Sequence, residues 1–294
     1  MLTVGVVSLG AMGSAVAEAL ARGGARVVAT LEGRSERTAQ LAERAALVRL
    51  LPDLNSVVRK ADVVLSIVPP EHASAAAGSI LSAAREKAVR PLLVELNAIA
   101  PATAMRIRST ASEAGVETVD GSISGPPPWK PGTTRVYLSG PRASEVAALP
   151  LEGVERIVVG EMVGAASAMK MSTASVYKGA SALLFQALLA AQANGVLDHV
   201  LSDLQAGAPE LVAGVERRLT SAARKSNRYI LEMREIASTQ AAAGLTPLLF
   251  EAIAGVYETL SQSPLAQANP EDARPDPPLA EILSEVSKRR DVPS

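Results

Sequence analysis

Residues 3–31 read as strand, glycine turn, helix, strand, and few architectures accept that order in so short a stretch. Thr3 to Val7 is a β-rich apolar run, and Ser8-Leu9-Gly10-Ala11-Met12-Gly13 follows at once. Ser14 to Arg22 is rich in Ala and Leu and is closed by Gly23-Gly24, after which Arg26 to Leu31 is apolar again. This is the first unit of a dinucleotide-binding sheet. Its glycines let the backbone approach a pyrophosphate, whose charge sits at the N-terminus of the following helix. Leu9, Gly10, Ala11, Met12 and Gly13 are the expected phosphate-side contacts. Ser8 holds the first glycine position of the G-x-G-x-x-G pattern, and serine reaches fewer turn conformations than glycine.

The type of nucleotide is read just past the second strand. A carboxylate there bonds the ribose 2′-hydroxyl of NAD, whereas an arginine suits the 2′-phosphate of NADP. Both are present, as Glu32 and Arg34, with Ser35 opening a new helix. Arg34, the Ser35 hydroxyl and a helix N-terminus together make a phosphate cradle, which favours NADP and leaves NAD possible. The competing view is that Ser35 only caps its helix while Arg34 and Arg37 are solvated.

The alternation continues with strands expected at Asp62 to Val68, Pro91 to Leu96, Val116 to Asp120, Thr134 to Ser139 and Val154 to Val159. Ligands bind beyond the carboxyl ends of such strands. Val68, Pro69, Pro70 and Asn97 stand at two of those ends and are expected to line the cofactor. Asn97 is also a candidate helix cap ahead of Pro101. Ser124 and Gly125 stand at a third end and are expected to bind substrate. The segment Pro126-Pro127-Pro128-Trp129-Lys130-Pro131 continues neither strand nor helix and forms a stiff loop. Trp129, the one tryptophan, and Lys130 are substrate candidates if that loop covers a pocket.

After Gly160 strand signals stop. Helices are expected at Val163 to Ala193, Leu197 to Gln205, Pro209 to Arg218, Ala222 to Ala243, Pro247 to Leu260 and Leu279 to Arg289. Ser263 to Pro278 is polar and Pro-rich, and this last part is where disorder is expected. A chain of 294 residues suits two domains. The fold class is therefore an α/β Rossmann-type N-terminal domain over residues 1–162 followed by an all-α C-terminal domain over 163–294.

Bulk chemistry narrows the function. A net charge of −1 calls for neither nucleic acid nor an anionic membrane surface. The absence of cysteine excludes thiolate chemistry, and His72 and His199 lack ligand neighbours at metal spacing, so no metal is expected. No leader pattern and no segment of membrane-spanning length are apparent, and a cytoplasmic protein is expected. A small-molecule substrate remains as the expected partner. The helix containing Gly164 to Lys178 is built mostly from small and apolar residues, with Lys170 among them. A poorly hydrated ammonium loses its charge more readily, which makes such a lysine a usable proton donor and acceptor. A structural lysine reaching solvent along its own stem is the plainer reading.

Three stretches in the right order resemble the β-hydroxyacid dehydrogenase superfamily: S-L-G-A-M-G at 8–13, D-G-S-I-S-G at 120–125 and G-A-A-S-A-M-K at 164–170. More narrowly, T-L-E-G-R-S at 30–35 and K-M-S-T-A-S-V-Y-K-G-A-S-A-L-L at 170–184 are similar to the 6-phosphogluconate dehydrogenase-like NAD(P)-binding branch with a variant helical C-terminal domain. The resemblance implies hydride transfer with a nicotinamide cofactor, Lys170 as catalytic acid/base, and a homodimer whose helical domains exchange contacts. Two departures matter. The family's active-site asparagine would fall at Thr173 or Ala174; the nearest polar groups on that helix face are Ser167, Thr173 and Tyr177, of which Thr173 and Tyr177 are the substrate candidates. The second glycine of the family's S-G-G is Pro126, so substrate identity is not inherited. An imine reductase and a non-catalytic NADP-binding protein are the alternatives.

Overall fold

Successive residues of the N-terminal strands point to opposite faces of a sheet, and both faces are buried. Val4, Val6, Val27, Ala29, Leu65 and Val94 belong to one core together with Val16 and Leu20. Val64 and Leu93 belong to another, with Val58, Ile80, Leu81 and Ile107. Continuous apolar strands of this kind suit a parallel sheet covered by helices on both sides. Each fully buried aliphatic side chain contributes about 1.5–3 kcal/mol.

The computed structural model describes residues 2–267 and 275–287. Its first part runs β1 (Thr3–Val7), α1 (Ala11–Arg22), β2 (Arg26–Ala29), α2 (Glu36–Ala42), β3 (Arg49–Leu50), α3 (Leu54–Lys60) and β4 (Val63–Ser66). It continues with α4 (Ala73–Glu86), β5 (Leu92–Glu95), α5 (Pro101–Glu113), β6 (Thr118–Ser124), β7 (Thr134–Ser139), α6 (Ala143–Ala147) and β8 (Val154–Gly160). The sheet order is β3-β2-β1-β4-β5-β6-β7-β8. Among the described residues, only the β6–β7 pair is antiparallel. The Rossmann-type sheet is therefore as expected, with two differences. β3 has two exposed residues, too few for any periodicity to show. β6 runs on through Gly121–Ser124 because those residues pair with β7, where the strand was expected to end at Asp120.

The chain divides into two compact units, Met1–Met171 and Ser172–Ser294. The division falls within the long helix α7 (Ala165–Ala193) rather than at 162/163. The reason is local: the first turn of α7 is hydrogen-bonded to β6 and β7. α7 is long and apolar enough to cross a membrane by length and composition, contrary to the expectation that no segment is, and 56% of that window is buried within the protein.

The second unit contains α8 (Leu197–Gly207), α9 (Pro209–Val212), α10 (Val215–Arg224), α11 (Ser226–Ala242), α12 (Leu248–Ser261) and α13 (Leu279–Ser287). The helix expected over Pro209 to Arg218 is broken at Ala213-Gly214, where Gly214 turns left-handed at φ 64°. α10 then fills the expected gap before α11. α11 and α12 pack through Tyr229 and Tyr257, edge to face at 5.3 Å, and the Tyr257 hydroxyl donates to the Lys178 carbonyl at 2.8 Å. Residues 288 and 289 of the last expected helix, and residues 268–274 of the segment expected to be disordered, lie outside the described residues, while Pro264–Gln267 in that segment forms a 3-10 turn.

Candidate active site

The turn after β1 carries the expected phosphate contacts. Ser8 adopts φ 76°, the left-handed region that side chains rarely enter. The serine thus takes the backbone path of the glycine it replaces, at a cost in strain. Gly13 is obligatory: a Cβ there would lie 2.0 Å from the Ser8 carbonyl oxygen. Leu9 is fully buried, so only its backbone is available to a ligand, and its carbonyl accepts the Ser14 hydroxyl at 2.6 Å. Gly10 caps α1 without a side-chain hydrogen bond, which leaves the amides of Ala11, Met12 and Gly13 at an uncapped helix start. An uncapped helix start that follows Gly10 in this way fits a pyrophosphate.

Beyond β2, Glu32 is exposed and accepts the Leu54 amide at 3.3 Å. Ser35 caps α2 by accepting from the Thr38 amide at 3.3 Å. The capping view of Ser35 is therefore realised. Arg34 is exposed in the same turn.

At the ends of β4 and β5 the side chains form one network. Asn97 is 3% exposed, and its Oδ1 accepts the Val68 amide at 2.6 Å while its Nδ2 donates to Ser66 Oγ at 3.1 Å. Its side chain therefore supports the β4 exit instead of reaching out to a ligand, which corrects its expected direct contact. Nor does it cap a helix, since α5 is capped at Ala100. Pro69 leads into a short 3-10 turn, Pro70–His72. Beneath Asn97 lies Glu95, which the sequence reading missed. It is 2% exposed, and its Oε1 accepts the Asn97 amide at 3.0 Å. Burial pushes its carboxyl up to about 8; the Asp120 charge adds to this, while the Asn97 amide and the Ser66 hydroxyl oppose it.

Asp120 on β6 is the second missed residue. Its Oδ2 accepts from Ser139 Oγ at 2.9 Å, from the Gly164 amide at 2.9 Å and from the Ser167 amide at 3.0 Å. Its Oδ1 accepts from Ser167 Oγ at 2.6 Å. A carboxyl at a helix N-terminus also opposes the helix dipole favourably. One acid thus clamps the first turn of α7 to the sheet. One turn further on, Lys170 is half-buried and its Nζ donates to the Ile123 carbonyl at 2.8 Å. The ammonium is thereby held beside the strand end that continues into Ser124 and Gly125. Gly125, at φ 112°, lets the hairpin close, because a Cβ there would meet the Thr133 carbonyl oxygen at 2.3 Å.

Trp129 is half-buried, with the Arg44 guanidinium 4.3 Å from its ring centroid. This contact packs Trp129 against Arg44. Lys130 is exposed. Thr173 and Tyr177 belong to the second unit. Thr173 is half-buried and Tyr177 is 73% exposed.

A family model described as the NAD binding domain of 6-phosphogluconate dehydrogenase matches residues 3–150. A second, described as a domain of unknown function (DUF1932), matches residues 191–260. Among solved structures, a conserved protein reported for its structural similarity with 3-hydroxyacid dehydrogenases is 31% identical. It covers 88% of this chain and 97% of its own, at a TM-score of 0.66. A 3-hydroxyisobutyrate dehydrogenase from Mycobacterium tuberculosis, solved with L-serine, is 18% identical over 99% of both chains, at a TM-score of 0.68. An imine reductase from Myxococcus stipitatus, solved as a variant with NAD+, is 21% identical over 98% of this chain and 99% of its own, at 0.58.

Proposed function

The chain belongs to the family of the NAD binding domain of 6-phosphogluconate dehydrogenase, and from that membership we propose that it is an NADP-dependent oxidoreductase acting on a hydroxyacid or alcohol and its oxo counterpart. The observation that carries this reading is the placement of Lys170: a helical lysine clamped through Asp120 and held by Ile123 beside Ser124. A nicotinamide cofactor would supply the hydride acceptor and donor. Leu9 to Gly13 hold the pyrophosphate through backbone amides. Val68, Pro69 and Pro70 bound the nicotinamide side, with Asn97 behind them. Arg34 would meet the 2′-phosphate, and the exposed arginine beside a Glu32 already bonded to Leu54 supports NADP over NAD.

In oxidation Lys170 Nζ, as the free amine, takes the hydroxyl proton of the substrate, and it returns that proton in reduction. The Ser124 hydroxyl and the neighbouring amides bind the substrate's polar end. A positioned general acid/base is worth about 10²–10⁴ in rate. Lys170→Ala is therefore expected to lower turnover by that order while leaving NADPH affinity within a small factor, measured by a fluorescence titration of NADPH. Full turnover in the variant would remove Lys170 from the chemistry. The assay is a panel of hydroxyacids, aryl alcohols and cyclic imines with NADP and NAD in parallel. Activity confined to imines would transfer the protein to the imine reductase reading.

A further inference from the structure

Glu95 has no part in the chemistry above, yet it is an acid buried in the sheet. It ends β5, directly across from Asp120 on β6. Two carboxyl groups thus sit side by side at the edge where the site is assembled, 2% and 1% exposed. Their surroundings differ. Asp120 accepts four hydrogen bonds. Glu95 accepts the Asn97 amide on Oε1, and its Oε2 is buried with no hydrogen-bond partner among the described residues.

We propose that Glu95 is a proton-linked positioning residue for cofactor binding: in its neutral form it holds Asn97, and through Asn97 the Val68 amide, in the place that the nicotinamide side of the site requires. The inference rests on the functional reading above, which puts the β4 and β5 exits against the cofactor. The chain of contacts is short. Glu95 Oε1 takes the Asn97 amide at 3.0 Å, Asn97 Oδ1 takes the Val68 amide at 2.6 Å, and Asn97 Nδ2 ties back to Ser66 at 3.1 Å. Neutral donors face Glu95 from β4 and from its own exit, and the charge acting on it is that of Asp120 from β6. Ionisation would set a second buried negative charge beside the first, with one oxygen lacking any donor. Hydrating that oxygen requires the β5 exit to open, and Asn97 and Val68 move with it.

The carboxyl titrates at about 8 in the folded chain against an ordinary 4.5. The folded state therefore keeps a proton that the unfolded chain has released. This site's contribution to stability falls as pH rises from 4.5 through about 8 and is level above that.

The experiment is NADPH fluorescence titration from pH 6 to 9.5 on the full chain, with thermal unfolding on the same samples. If the neutral form alone is competent, wild-type affinity falls about tenfold between pH 7 and pH 9. Glu95→Gln keeps a neutral group of the same shape, so its affinity profile and its stability both become flat across that range. Asn97→Ala binds weakly at every pH with a flat affinity profile, yet retains the pH-dependent stability, because Glu95 still accepts the backbone amide of residue 97 but is no longer linked to Val68. A merely structural Glu95 would move stability without this split. A flat wild-type affinity profile, or a Glu95→Gln profile that still falls, overturns the inference. Should the wild type bind neither NADPH nor NADH at any pH, the functional reading fails and this one with it. Binding with a flat profile defeats only the role of Glu95.

Discussion

The two units bury an acid by opposite means. In the first, Asp120 is 1% exposed and is held by two hydroxyls and two backbone amides, none of them cationic. In the second, Glu232 is 3% exposed and is paired with the Lys178 ammonium and with Arg228 Nε at 3.0 Å. Neutral donors fix direction, because each bond needs its own geometry. Ion pairs chiefly neutralise, because the attraction tolerates movement while both charges pay for desolvation. The first arrangement suits a helix that must present a lysine at one place. The second suits the interior of a helical packing, where Lys178 also lies 4.4 Å from the Tyr229 ring.

The sharpest way to break the comparison is Asp120→Ala. It leaves the Gly164 and Ser167 amides and two hydroxyls without their acceptor in a dry place. A loss of about 3–5 kcal/mol is expected in urea unfolding, since bonds to an acid are each worth more than neutral ones. Turnover should fall at least as far as in Lys170→Ala, because the helix start that positions the lysine is released. Asp120→Asn should recover most of it, since its carbonyl oxygen in the Oδ2 place keeps the Ser139 hydroxyl and the Gly164 and Ser167 amides, and its NH2 can donate to the Ser167 hydroxyl. An Asn variant with wild-type stability would show that a neutral acceptor suffices.

Glu232→Gln comes next. Removing one partner of a buried pair typically costs about 3–5 kcal/mol, but the Tyr229 ring still faces Lys178, so about 2–3 kcal/mol is expected here. The double variant Lys178→Met with Glu232→Met should return to within about 1 kcal/mol of wild type, as apolar replacements of buried pairs often do. Chemical unfolding of the double variant and of the singles Lys178→Met and Glu232→Met closes the cycle. If the double variant is as damaged as the single, the pair fixes geometry as Asp120 does, and the contrast between the units disappears.

The sheet was legible because its signal is local. Val4, Val6, Val27 and Ala29 alternate within a few residues of glycine turns, and α1 starts where those turns demand. β3 was not legible, since two residues carry no period, and neither was the break at Gly214, since a glycine inside a helical pattern is ambiguous until its φ is known. Of the site, Lys170 and Ser124 could be singled out from motif and helix composition. Asp120 and Glu95 could not, although Asp120 lies within the D-G-S-I-S-G stretch itself. Their importance comes from partners on other elements: Ser167 is 47 residues from Asp120. Asn97 shows the limit from the other side. Its place at a strand end suggested a ligand contact, and only the bonds to Val68 and Ser66 show that its side chain is turned inward. The one available signal was an acidic residue at the end of an otherwise apolar strand, where a charge is rarely buried without a task.

Ser167→Ala is the finest test of how the Asp120 clamp is built. It deletes the 2.6 Å hydroxyl bond to Oδ1 and leaves both backbone amides and Ser139 in place on Oδ2. No buried donor is orphaned, and alanine suits a helix, so the expected loss is only about 1–2 kcal/mol. The direction of α7 should survive, because the amides that define its start still converge on one oxygen. Turnover should then fall by less than about tenfold, with the stability loss recovered in full at saturating NADPH if cofactor binding stabilises the fold by mass action. A larger drop in turnover at unchanged stability would mean that Oδ1, and not the amide pair on Oδ2, sets where Lys170 stands. In that case the clamp would act through a single side chain and not through the shared geometry of the helix start.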